Sequence, residues 1–182
     1  MSESAKKQAL DNLLRDGIVS YLDALYALQR FQEQATGIAV SVLKARVLEL
    51  SSATGWPGLS QDAVSPYCLP DGEGNWAWLG ARICVEQLNG FCCLALCLEA
   101  DENGASAAHV TFFCGASPAA IFTKIKSAYR DCEFYWENED RSVRECGFRR
   151  KLENPLAMET EFQRLMDHVI NVWIQIGGWS RI

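Results

Sequence analysis

The chain has 182 residues, 49% of them hydrophobic, and a formal net charge of −6. That length and apolar content suffice for one substantial core, and the acidic balance argues against generic binding to a phosphate backbone, which needs neutralising lysines and arginines. No stretch approaches the about 20 uncharged apolar residues of a membrane span. The first residues, MSESAKKQALDNLLRDG, show no apolar signal core or cleavage site, so a cytoplasmic protein is expected.

The pattern predicts a first helix from about Ser4 to Gln34. Leu14, Ile18, Tyr21, Leu25 and Leu28 recur at alternating spacings of four and three, which lines one apolar stripe. Leu10, Leu13, Leu22 and Tyr26 widen it beyond what a two-stranded coiled coil needs. Packing on the protein's own sheet is the first expectation, with a dimer seam as the alternative. Gly37 reads as a break. Val40, Leu43, Val47 and Leu50 then suit a second helix, although Ile38, Val40 and Val42 alternate as a strand would. Residues 51–75, rich in glycine and proline, read as a long loop between an N-terminal helical segment, 1–50, and an α+β region, 76–182, within one structural domain.

Three strands follow: Trp76–Gln87, closed by the turn signal Asn89-Gly90; Phe91–Glu99, apolar on both alternating sets and so expected to be covered on both faces; and Ala107–Cys114, after Asp101-Glu102-Asn103-Gly104. The connections are too short for crossover helices, which makes the sheet antiparallel. Ser117-Pro118 opens a helix whose inner face is Ile121, Phe122, Ile125 and Tyr129. Glu133–Glu137 and Arg141–Leu152 read as two strands. Asn154-Pro155 repeats the cap signal before a last helix with Met158, Phe162, Leu165, Met166, Val169, Trp173 and Ile176 on one face, stopped by Gly177-Gly178. The expected fold is α+β: a five-stranded antiparallel sheet with packed helices, in the order helix (one or two), three strands, helix, two strands, helix.

Chemistry is sparse. The eight cysteines are expected to be reduced thiols in a chain of this kind. Cys84, Cys92, Cys93 and Cys97 lie in apolar runs where cysteine acts as a small hydrophobe. There is no C-x-x-C pair, and His109 and His168 are the only histidines, so no metal or other cofactor is expected. His109 and Cys114 share a strand at an odd offset and face opposite ways, which excludes a local dyad. His168 falls on the polar side of the last helix. Glu99 and Asp101 end a strand as a metal-dependent nuclease might require, but neither that strand nor the next supplies the lysine such chemistry uses. The candidates that remain are for partner binding. Trp76 and Trp78 share one face of their strand and Phe134 and Trp136 one face of theirs; burial in the core is the plainer account, and an outward contact surface the sharper one. Arg144, Arg149, Arg150 and Lys151 stand opposite Glu133, Glu137, Glu139 and Asp140, where they either pair across strands or anchor a partner's carboxylate or phosphate.

The strand Cys132–Trp136 straight after a helix, the return Cys146–Leu152 and the segment Asn154–Trp173, with Phe162, Leu165, Val169 and Trp173 in a Phe-x-x-Leu-x-x-x-Val rhythm, together carry a resemblance. In order and pattern, from about Trp76 to Trp179 with the first helix before it, the chain resembles the class I type III secretion chaperones and YbjN-like domains. The greater length, the 51–75 segment and the extra cysteines depart from that pattern. What the resemblance implies is a non-catalytic, cytosolic protein-binding module. It would be chaperone- or adaptor-like and homodimeric, and hold a protein partner on an apolar or aromatic sheet or helix surface; nucleic acid is not an expected partner for so acidic a chain. Two alternatives stand beside it: an immunity or antitoxin-type inhibitor, whose acidic surface would suit a basic toxin, and a degenerate restriction-endonuclease-like nuclease.

Overall fold

A computed structural model describes residues 3–56, 58–70, 76–87, 90–101, 104–115, 134–137, 143–152 and 157–178. The chain divides into two units, Met1–Gln34 and Ala35–Ile182. Helix α1 runs from Glu3 to Thr54. The expected break at Gly37 is absent, and residues 36–50, which suited either helix or strand, are helix. Gly37 is exposed and no atom approaches the place its Cβ would take, so the glycine weakens the helix without ending it. The real stop is Gly55, at φ +69, whose N–H donates to the Ser51 carbonyl at 2.9 Å. The Thr54 hydroxyl donates to the Leu50 carbonyl at 2.8 Å and accepts the Trp56 N–H at 3.1 Å, which turns the chain inward at a buried tryptophan.

The sheet corrects the expected strand count, since it has six strands, all antiparallel, in the order β1-β2-β3-β4-β6-β5. They are β1 Val64–Pro70, β2 Trp76–Gln87, β3 Gly90–Asp101, β4 Gly104–Gly115, β5 Phe134–Glu137 and β6 Val143–Lys151. The additional strand is β1, which lies inside the 51–75 segment read as loop. Its Pro66 and Pro70 argued against a strand, but β1 is the sheet's edge, where a missing N–H costs no ladder bond if it faces outward. The helix expected from Ser117 and the Asn154-Pro155 cap lie outside the described residues.

Helix α2, Met158–Ile176, covers one sheet face. Its buried side includes Met158, Phe162, Leu165, Met166, Val169 and Trp173, as the spacing required, and Ile170 and Val172 in addition, while Ile176, in the last turn, is only half-buried. Ile83, Leu94, Leu96, Leu98 and Val110 supply the sheet's side of this core. The second half of α1 lies beside α2: Ala39, Leu43, Val47 and Leu50 are fully buried, Trp56 meets Trp173 edge to face at 5.5 Å, and Arg46 pairs with Asp167 at 2.6 Å. Ala95 and Cys97, on the other side of β3, are fully buried too, so that strand is covered on both faces as its composition required. Where β2 crosses β3, Gly80 is needed: a Cβ there would run into the Leu96 carbonyl and come within 2.7 Å of the Cys97 Cα.

Cys84 and Cys93 form a disulfide, which corrects the expectation of reduced thiols at these two positions. The register explains it, since the two residues sit directly opposite each other on β2 and β3, within reach of one S–S bond. Cys97 is buried and Cys68 exposed.

Candidate partner-binding surface

The register sorts the candidate residues. Residues directly opposite in neighbouring strands share a face. Trp78 pairs with Glu99, Glu99 with Ala107 and Ala107 with Lys151, and two residues along β6 from Lys151 stands Arg149, opposite His109. Gly147, opposite Phe134, and Glu145, opposite Trp136, continue the same face. Trp78, Arg149, Phe134 and Trp136 therefore stand on one side of the sheet, away from α2. They are not one patch: β2 and β5 are four strand spacings apart, roughly 19 Å. The ladder shifts between Leu69 and Pro70, opposite Trp78 and Trp76, so simple alternation does not carry Trp76 onto that face.

The arginines do not gather either. Arg149 and Arg150 are neighbours on a strand and face opposite ways. Arg150 faces α2, where its Nε donates to Glu161 Oε2 at 2.7 Å while Arg164 Nη1 donates to Oε1 at 2.6 Å. Burial opposes ionisation of Glu161, but the hydrogen bond from Arg150 and the charges of Arg164 and Arg150 outweigh it and hold the carboxyl below its ordinary value. Arg150 thus pairs with a helix acid rather than with the acids of the β5–β6 connection. Arg144 stands in register with Glu137, the position cross-strand pairing requires.

One group does converge, at the β1–β2 side of the sheet. Trp78, half-buried, meets His109 edge to face at 4.6 Å and Tyr67 at 6.5 Å. The exposed Arg82 guanidinium lies 5.1 Å over the Tyr67 ring. Glu99 Oε2 is 3.9 Å from His109 Nδ1, and His109 itself is buried. Further into the sheet this face is closed, because Ala95, Cys97 and Ala107 are buried. What remains accessible is a shelf built of Tyr67, Trp78 and Arg82, with Leu69, 41% exposed, beside Trp78 on the edge strand. Such a shelf offers two aromatic rings and a guanidinium, with the partly exposed Glu99 carboxylate beside them: the means to hold an apolar side chain flanked by polar groups. With Pro66 and Pro70 in the edge strand, contact through side chains is favoured over strand addition.

Tyr67, Leu69 and Arg82 were not among the sequence candidates. Their signal was Val-Ser-Pro-Tyr-Cys-Leu-Pro, a β-prone run between prolines whose pairing with β2 only the fold reveals. His168 is exposed as expected, with its ring edge-on to Phe148 at 4.6 Å.

The architecture makes this an α+β protein built on an antiparallel sheet. The chain matches no protein-family model, no curated protein and no solved structure.

Proposed function

We propose that this chain is a non-catalytic protein-binding module, chaperone- or adaptor-like, that works in the cytosol as a homodimer and holds a protein partner. The observation that carries the reading is the shelf on β1 and β2, where Trp78 stays half-buried between Tyr67 and His109 and Arg82 is exposed beside them. A tryptophan, a tyrosine and an arginine on one accessible surface are the residue types that dominate binding energy at protein interfaces. The long first helix, the antiparallel sheet and the amphipathic last helix support the likeness to secretion chaperones and YbjN-like domains; the strand β1 is additional to that pattern. The cytosolic setting gives the Cys84–Cys93 bridge a particular meaning, since a glutathione-buffered compartment would keep it reducible and not a permanent staple.

The test is capture of a stoichiometric protein by the tagged chain, followed by binding of that purified protein to shelf variants. Arg82→Glu, at an exposed position, is expected to weaken binding about tenfold, and Trp78→Ala more, with thermal melts confirming that each variant is folded. Binding untouched by both substitutions would remove the shelf from the account. A single folded enzyme silenced by the chain would support the inhibitor reading instead, and magnesium-dependent loss of nucleic acid the nuclease one.

A further inference from the structure

The shelf leaves a second exposed apolar surface unused, on the first helix. In the unit Met1–Gln34, nine large apolar side chains between Leu13 and Leu28 are each 43–71% exposed. Five of them, Leu14, Ile18, Tyr21, Leu25 and Leu28, line one stripe and present roughly 500 Å² of contiguous apolar surface, at the upper end of what ordinary monomers expose. We propose that this stripe is where two copies of the chain pair. The proposal rests on the homodimer of the functional reading and assigns the surface that makes it.

Three observations favour a second copy as the occupant. Leu14, Ile18, Tyr21, Leu25 and Leu28 follow the four-three repeat of helices that pack side by side, with Gly17, Leu22 and Ala24 flanking them. A two-fold pair sets this patch against itself, so one sequence supplies both halves. The stripe carries no charge at those positions, so neither an acidic nor a basic partner would gain from it, whereas a second copy brings an equal length of uncharged helix. A membrane surface fits less well: helices that lie in an anionic interface carry lysine and arginine opposite the apolar face, and here Asp16 and Asp23 share that side with Arg30.

Sedimentation equilibrium of the full chain over micromolar concentrations tests this. The wild-type chain is expected to show the mass of a dimer. Ile18→Asp combined with Leu25→Asp should raise the dissociation constant by roughly a hundredfold or more, Leu25→Ala alone by about tenfold, and Asp23→Ala should leave it unchanged. All six tryptophans lie at or after Trp56, so their fluorescence reports the fold of the sheet and α2 independently of the stripe. A wild-type monomer at every concentration would overturn the proposal, as would a dimer indifferent to the double substitution. A monomer that binds anionic vesicles would reassign the stripe to membranes and overturn it equally. The two proposals fail separately. A monomer that still captures a protein through the shelf sinks the pairing and the homodimer of the functional reading but leaves the protein-binding module standing, and a dimer that captures nothing sinks the binding module but not the pairing.

Discussion

At the scale of single residues, Glu161 shows how placement changes the role of a charge. As one acid among many on an acidic chain it draws no attention, yet two arginines converge on it, one from β6 and one a turn away on α2. Its carboxyl is held below the ordinary value in the folded state, so the pairing adds stability above the unfolded-state glutamate pKa, and that stability is lost as pH falls through the lowered folded value. Both arginines are more than half exposed, which keeps the contribution small. Glu161→Gln is expected to lower stability by about 0.5–1 kcal/mol at neutral pH, and the gap should close in acid. Urea melts of both proteins across pH measure this; a gap that stays constant down to the most acid melt would rule out the ion pair as its origin. Trp78 makes the complementary point. Its strand and face were legible from alternation, but its neighbours were not, because Tyr67 and His109 reach it from strands 11 and 31 residues away in sequence.

At the scale of elements, periodicity was a good guide wherever one period dominated. The last helix and its buried face, and β2 with its end at Gln87, stand where the pattern placed them. Glycine and proline misled it in two places, since both were read as local breakers and the wider structure overrode them. Residues flanking Gly37 bury their side chains against the core, and that packing carries the helix through. Gly37→Ala should therefore stabilise the protein by about 0.5–1 kcal/mol, since the alanine meets no neighbour and loses less backbone entropy on folding. A raised midpoint in thermal or chemical unfolding is the expected result, and a lowered one would show that the helix needs freedom there. At β1 the prolines marked a loop, but the sheet accepts them because they sit at its edge.

At the scale of the whole molecule, the Cys84–Cys93 bridge joins central strands of the sheet across a sequence separation of 9. Closing so short a loop constrains the unfolded chain by about 2–3 kcal/mol, so Cys84→Ser, or full reduction, should lower global stability by that amount. Comparing guanidinium unfolding of oxidised and reduced protein would check it, and matching curves would mean that the bridge adds nothing. The sequence by itself determined the class of fold, the antiparallel sense of the sheet, the strand buried on both faces and the inner side of the last helix. All of these follow from short-range rules: the periods of helix and strand, the brevity of the connections and the local chemistry of turns. Only the tertiary structure decided that β1 pairs at the edge, that Cys84 meets Cys93, that Arg150 pairs with Glu161, and that Tyr67, Trp78, Arg82, Glu99 and His109 share one corner of the sheet. Those outcomes depend on register between strands distant in sequence, and register is settled by the packing of the whole core rather than by any residue's neighbours along the chain.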